Sequence, residues 1–381
     1  MSKIAIIYKT IPHYRRDFYN RLRKTLAEEN VDLLLLYGQP SRRDALKNDT
    51  IDLEWAVKVP SKIFELGRSE FYWQPVLHYL KDVDLVIVEQ ASKLLVNYIL
   101  LIQNWLGIRK LAFWGHGKNF QETSANPLGE WIKRQISNRV HWWFAYNEMS
   151  ARVVREIGFP GERITLVQNA VDTHFLSRTL QDLAPAQIEK VRQELNLYST
   201  NVGIYAGGLY PEKRIPFLLE ALQLIRQQVT DFEMIFIGDG MQADVVKQFS
   251  AQFPWIHYVG PKFDSEKVPY YAISKVFLMP SLIGLSILDT FALETPLVTT
   301  NAVGHGPEIE YLENNINGIM VDDAVNPQVY ANVVTHLLSN EKTRQELIRG
   351  CRAAKSNYTV ENMVERFADG ILCALKTSMK I

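Results

Sequence analysis

Cysteine is nearly absent: Cys351 and Cys373 are the only two in 381 residues, so no disulfide framework is implied and a reducing cytosol suits the chain. Long apolar runs are missing as well. The opening MSKIAIIYKT stays apolar for only a few residues before Lys9, and the longest candidate, residues 94–106, is interrupted by Asn97, Gln103 and Asn104. Neither stretch suits a signal-peptide core or a membrane span, and the second reads as a buried helix. Net charge is zero, with 42 Lys and Arg against 42 Asp and Glu, which argues against a nucleic-acid binder dominated by phosphate contacts. The eight histidines are scattered and form no His/Cys/carboxylate pattern with ligand spacing, so no metal site is expected. No repeat of 20–50 residues and no low-complexity tract is visible, which sets solenoids aside.

What is present suits a soluble enzyme: 47% hydrophobic and 22% charged residues allow a large core, and the length fits two domains of roughly 150–200 residues each. An excess of about six positive charges through residue 180 is balanced by about six negative ones beyond it. A mildly basic first half suits an acidic acceptor or an anionic membrane. Short apolar runs at 4–8, 31–37, 85–88, 111–114 and 142–146 read as buried strands, with helical stretches such as 14–28 and 126–139 between them. Strand then helix, repeated, implies a parallel sheet with helices on both faces. The pattern pauses at 174–188, where Pro185 and small polar residues interrupt it before a charged helix at 186–195. It then restarts with strands at 202–206, 234–237, 257–259, 276–279, 297–299 and 318–321 and helices at 217–227 and 241–253. Helices at 343–355 and 360–376 end the chain. The expected organisation is a first Rossmann-like domain at 1–175, a linker at 176–200, a second such domain at 201–356, and a terminal helix at 357–381 crossing back to the first.

Parallel sheets bind ligands beyond the carboxyl ends of their strands, so chemistry should concentrate in the loops that follow strands. After 202–206 comes Gly207-Gly208-Leu209-Tyr210-Pro211-Glu212-Lys213-Arg214. Its glycines permit close backbone approach, Pro211 stiffens the turn, and Lys213 and Arg214 stand ready for an anion such as a diphosphate. A tight turn with a solvated cation pair is the plainer reading. Gly238-Asp239-Gly240 closes another strand and is, by itself, equally a generic turn. The most specific stretch runs from Met279 to Thr300: strand, loop with Gly284, short helix, Pro296, strand. It places the amides of Gly284, Leu285 and Ser286 at a helix start, an environment worth roughly 0.3–1 kcal/mol towards an anion. Asp289 lies one turn further on, where a carboxylate can accept both hydroxyls of a ribose. His116, between Gly115 and Gly117 after a strand, reads as an exposed loop residue with a functional role, although a lone histidine is often structural. Trp142 and Trp143 follow the basic stretch 133–139 and raise the reading of a peripheral membrane face. A buried strand is the stronger one, because they run on into Phe144-Ala145-Tyr146.

The order of these blocks, with Gly115-His116-Gly117 and Asn169-Ala170-Val171-Asp172-Thr173 in the first half, resembles the family 4 retaining glycosyltransferases over nearly the whole chain. The resemblance implies an α/β protein of the GT-B fold, two Rossmann-like doubly wound parallel-sheet domains facing a central cleft. It implies that Lys213 grips the donor diphosphate and that Asp289, matching the second acid of the family's Glu-x(7)-Glu pattern, binds the nucleotide ribose. Gly207, Gly208, Arg214, Gly238, Gly284, Leu285 and Ser286 complete the donor site. His116 matches a histidine near the reacting sugar, and Asn169 the cleft-facing end of the first domain. His13, Arg15 and Arg16 follow the first strand, where such enzymes contact acceptor or diphosphate; a solvated basic helix start is the plainer alternative. Glu308 lies where the family often carries an acid, and helix capping explains it equally well. Two departures stand out. Gly208 replaces an Arg of most members, which passes the second cation role to Arg214, and the loop after Ser281 is short, with Leu282 and Ile283 where the first glutamate would be. A shortened Gly-Leu…Asp version resembles a subset of the family.

The resemblance further implies transfer of a hexose or deoxyhexose from a UDP-, GDP-, ADP- or dTDP-sugar to a glycan or lipid-linked acceptor, with retention and without a metal or other cofactor. The partners expected are the donor, the acceptor and a peripheral membrane contact, with no nucleic acid. The location expected is the cytoplasm or the inner face of the membrane. A sugar-nucleotide 2-epimerase of the same architecture, and a catalytically silent GT-B protein binding a glycan or partner, are the competing readings.

Overall fold

Ile4, Ala5, Ile6 and Ile7 are all buried, as a strand covered on both faces requires, and continuous burial of this kind recurs in most strands of the two sheets. The structure, a computed structural model, describes residues 1–45, 50–66, 69–117 and 138–379; the expected helix at 126–139 lies largely outside them. The chain divides into two units, Met1–Asn169 with Val360–Ile381, and Ala170–Thr359.

In the first unit β1 (Ser2–Tyr8), β2 (Val31–Tyr37) and β3 (Val57–Lys58) are followed by a hairpin of β4 (Lys62–Leu66) and β5 (Ser69–Trp73), and then by β6 (Leu85–Glu89), β7 (Lys110–Gly115), β8 (Trp142–Ala145) and β9 (Ile164–Leu166). The hairpin apart, these strands form one parallel sheet in the order β3-β2-β1-β6-β7-β8-β9. Trp142 and Trp143 are buried within β8, so they present no membrane face. The helix Val96–Trp105, expected to be buried, hides Val96, Asn97 and Leu100 but exposes Ile102 and Trp105, followed by exposed Leu106 and Ile108. Its 3.6-residue period leaves only one face on the sheet. Among the described residues no helix is long and apolar enough to cross a membrane.

The helix Val360–Lys376 packs on this same unit. Phe367 lies 4.4 Å from Phe144 in a stacked pair, 4.9 Å from Trp114 and 5.4 Å from Phe18, between ring centroids. The helix's last carbonyls, which lack intrahelical donors, are met by the first unit: Lys110 Nζ donates to Leu375 O at 2.6 Å and His141 Nε2 to Ala374 O at 2.9 Å.

The second unit holds β10 (Val202–Ala206), β11 (Glu233–Ile237), β12 (Ile256–Gly260), β13 (Val276–Leu278), β14 (Leu297–Thr300) and β15 (Gly318–Val321), all parallel, in the order β12-β11-β10-β13-β14-β15. The expected linker at 176–200 holds, besides the helix read at 186–195, a second helix before it, and both pack on this unit. The helices Thr173–Gln181 and Pro185–Glu194 bury Leu176 and Val191 in this unit's core, and Ser177 Oγ donates to Ala292 O at 3.0 Å. Pro185, taken as an interruption, occupies the first helical turn, where its missing N–H costs nothing.

Candidate functional site

The strand order of the second sheet reverses at β10, which has β11 on one side and β13 on the other. The loops after β10 and β13 therefore flank the crevice where doubly wound sheets bind ligands. The first loop leaves β10 through Gly207 at φ 155°, reaches Lys213 at the end of a 3-10 turn, and enters the helix Ile215–Gln228 through Arg214 at φ 55°. A Cβ on Gly238 would lie 1.9 Å from Gly207 O, so the turns after β10 and β11 touch backbone to backbone, an approach open only to glycine.

Met279 brings the two flanking loops together. Lys213 Nζ lies 3.5 Å from its Sδ, Ser286 Oγ lies 3.7 Å from the same sulfur, and a Cβ on Gly207 would come 3.2 Å from its Cε. Lys213 Nζ also donates to Leu282 O at 2.5 Å. Burial pushes its pKa down to about 8, against the pull of Glu308 and Glu212. Among the described residues no carboxylate pairs with it. Gly284 is not demanded by packing, since a Cβ there would meet nothing within 4 Å; the space in front of it is open. Asp289, one turn into the helix Ser286–Ala292, holds an ion pair with Lys267 at 2.7 Å, both side chains mostly buried.

Other sequence expectations fare differently. Arg214 lays its guanidinium over the Phe217 ring at 4.4 Å, so its stem packs at the helix start rather than standing free as a solvated pair with Lys213. Gly208 has the Tyr210 ring where a side chain would begin, 2.1 Å from an ideal Cβ, and its carbonyl accepts from Tyr205 Oη at 2.7 Å. Glu308 is buried in the 3-10 turn Pro307–Tyr311, and its charge acts on Lys213.

In the first unit the residues after β1 separate. Arg16 is exposed and His13 half-buried, but Arg15 is wholly buried, which corrects both the expected acceptor-facing placement and the solvated alternative. Its guanidinium lies 4.8 Å from the Trp114 ring, 5.1 Å from Tyr14 and 5.9 Å from Tyr146, and Nη2 donates to Asn169 Oδ1 at 2.5 Å. A planar, weakly hydrated cation tolerates such an aromatic cage where an ammonium would not. Asn169 is likewise buried and turned to Arg15, rather than presented to a ligand.

His116 is half-buried rather than on an exposed loop, its ring 4.3 Å from that of Tyr146. Ser150 Oγ donates to Asn147 Oδ1, so the 3.4 Å contact between His116 Nδ1 and that oxygen needs the proton on Nδ1 and leaves the lone pair on Nε2. Burial first, and Arg15 second, push the histidine down to about 4. The unfolded chain therefore binds the proton more readily between about 4 and 6.5, and the neutral ring's contribution to stability, present above 6.5, is lost as the pH falls towards 4. In an NMR titration His116 is expected to change charge near pH 4 in the wild type, and at higher pH in Arg15→Met; a midpoint unmoved by the substitution would deny Arg15 its part.

Two doubly wound parallel sheets, the second with a lysine-bearing glycine turn at its switch point, define the GT-B class of fold. Residues 200–340, all within the second unit, match the family described as Glycosyl transferases group 1. Spore coat protein SA of Bacillus subtilis is 29% identical over 194 residues, 46% of this chain and 50% of that protein. O-antigen chain mannosyltransferase B of Escherichia coli is 29% identical over 160 residues, 40% of each. The chain thus spans half or less of the length of these curated relatives. The structure of Anabaena HepE in complex with UDP matches with a TM-score of 0.71 at 16% identity, over 98% of this chain and 100% of that one, a likeness of fold.

Three residues of this site went unread in the sequence: Met279, Lys267 and His305. Each lies at or after the carboxyl end of a parallel strand, β13, β12 and β14 respectively, which is the general signal that would have found them. His305 accepts from Ile283 N at 3.1 Å and donates from Nε2 to Thr300 O at 2.8 Å.

Proposed function

We propose that the chain is a family 4 type glycosyltransferase, moving a hexose or deoxyhexose from a nucleotide-diphosphate sugar to a glycan or lipid-linked acceptor, with retention and without a metal, in cell-surface polysaccharide or glycoconjugate synthesis. The observation that carries the reading is Lys213. Its side chain is half-buried at the switch point of the second sheet, its ammonium desolvated enough to lower its pKa, hydrogen-bonded to a carbonyl and paired with no carboxylate among the described residues. A largely desolvated cation that Glu308 and Glu212 influence without forming an ion pair among the described residues is better satisfied when an anion arrives. The open space before Gly284, the group 1 match over this unit and the UDP held by HepE support a nucleoside diphosphate as that anion, with UDP the first candidate.

In the reaction the bond from the anomeric carbon to the phosphate oxygen breaks, its electron pair leaving with the diphosphate. Lys213, with Arg214, stabilises the charge that develops there, which is where preorganised cations contribute most. The acceptor oxygen bonds to the anomeric carbon on the face the phosphate left, and its proton passes to a phosphate oxygen, so no protein nucleophile is required. Asp289, fixed in place by its ion pair with Lys267, holds the ribose hydroxyls, and neutral His116 orients the sugar through Nε2.

A ligand that binds only the native state raises stability by mass action. With UDP, GDP, ADP and dTDP and their sugars each at a hundredfold excess over Kd, one base is expected to raise the unfolding midpoint by about 5–10 °C. No shift with any of them would remove the donor assignment.

A further inference from the structure

We propose that His305 is a positioning residue of the donor site, setting the orientation of the peptide between Leu282 and Ile283 and, through it, the place of the Lys213 ammonium; the inference rests on the donor-site reading above. That single peptide unit is held at both ends. Its carbonyl, Leu282 O, accepts from Lys213 Nζ at 2.5 Å, and its N–H, Ile283 N, donates to His305 Nδ1 at 3.1 Å. A flip of the peptide would exchange the two, aiming an N–H at an ammonium and a carbonyl at a ring lone pair.

The orientation needs holding, because Leu282 sits at φ 48°, a left-handed conformation unfavourable to any residue with a side chain. The ring is fixed at its far side. His305 Nε2 donates to Thr300 O at 2.8 Å, which places the proton on Nε2 and leaves Nδ1 as an acceptor. Thr300 is itself tied to the start of the same loop, its Oγ1 donating to Pro280 O at 2.7 Å. Gly306 N closes the third side by donating to Ile283 O at 3.0 Å, at a position where a Cβ would come 2.7 Å from that oxygen. Lysine has a flexible four-carbon stem, so a fixed carbonyl acceptor is what gives its charge a defined position before any ligand arrives. Burial keeps His305 below its ordinary pKa, and Lys213 adds to this against the pull of the Thr300 carbonyl, consistent with the neutral ring this arrangement requires.

The side chains that mimic one ring nitrogen at a time separate this role from space filling. Asparagine carries its oxygen near the Nδ1 position, whereas glutamine extends its amide to that of Nε2. Calorimetric titration of UDP, GDP, ADP and dTDP into the full chain selects the tightest of the four as the probe. For that nucleotide, His305→Ala and His305→Gln are expected to bind about tenfold more weakly, and His305→Asn within about threefold of the wild type. In a Lys213→Met background His305→Ala is expected to add little, since both act through one group. Unfolding midpoints are read alongside; if the alanine variant fails to fold, the asparagine and glutamine variants decide. Equal binding by wild type and His305→Ala, rescue by glutamine instead of asparagine, or additive losses in the double variant would overturn the proposal alone. A wild type that binds none of the four nucleotides removes the donor-site reading and this inference with it.

Discussion

Lys213→Met is expected to lower sugar transfer by about 10²–10³-fold, the loss typical when one preorganised group facing a developing charge is removed, while the fold holds or gains stability. The two effects run in opposite directions for one physical reason. In the absence of donor the ammonium is largely desolvated and, among the described residues, in no ion pair, with Glu308 and Glu212 opposing the effect of burial only in part; its pKa of about 8 against an ordinary 10.5 means that the unfolded chain binds the proton more readily between those values. Wild-type stability should therefore rise as pH increases from about 8 to 10.5, with the cost of the buried charge fully present below that window. The methionine variant, similar in volume and without charge, should show no such rise. Transfer should follow the other sign, falling as pH passes upward through the lysine's pKa, at a value above 8 once bound diphosphate favours the charged form. Unfolding midpoints and initial rates across pH 6–10 check both curves. A variant retaining more than a tenth of wild-type turnover would take the diphosphate away from Lys213.

The alternation of apolar runs with amphipathic stretches was enough to read every strand of the two sheets but β3 and β9, because strands buried on two faces spell out as runs of uncharged, mostly apolar residues with little ambiguity. Ile4–Ile7 and Val202–Ala206 are such cases. Short or half-buried elements were not legible. The two-residue β3 and the β4–β5 hairpin carry too few positions for a period to show, and Leu176 was hidden in a polar stretch taken as linker. In the candidate site, Lys213 and the amides after Ser281 were readable because glycine, proline and cation types announce a tight loop. The burial of Arg15 was not, since cation–aromatic packing joins residues 15, 114 and 146 that no local pattern connects. His305 escaped for a related reason: its partners, Ile283 N and Thr300 O, are backbone atoms, which any sequence supplies.

Phe367→Ala is expected to destabilise the first unit by about 3–5 kcal/mol, the range for deleting a buried aromatic side chain. The ring is fully buried and stacked at 4.4 Å on Phe144 while meeting Trp114 at 4.9 Å and Phe18 at 5.4 Å. These three come from β8, from β7 and from the helix Arg16–Glu28, so one cavity loosens three elements that the terminal helix ties together. Hydrogen exchange should show lost protection in β7, β8 and Val360–Lys376, with β10 and β13 keeping theirs, because amides report the stability of their own cooperative unit. A chemical consequence follows from the same contacts. Trp114 also packs on Arg15 at 4.8 Å and on Tyr146 at 5.7 Å, the two groups beside His116. A Trp114 ring freed to move admits water to that cluster, and the histidine, held near 4 chiefly by burial, should titrate closer to 6.5. An exchange pattern spread evenly over both units, or a His116 midpoint that stays near 4, would mean that the terminal helix does not control this cluster.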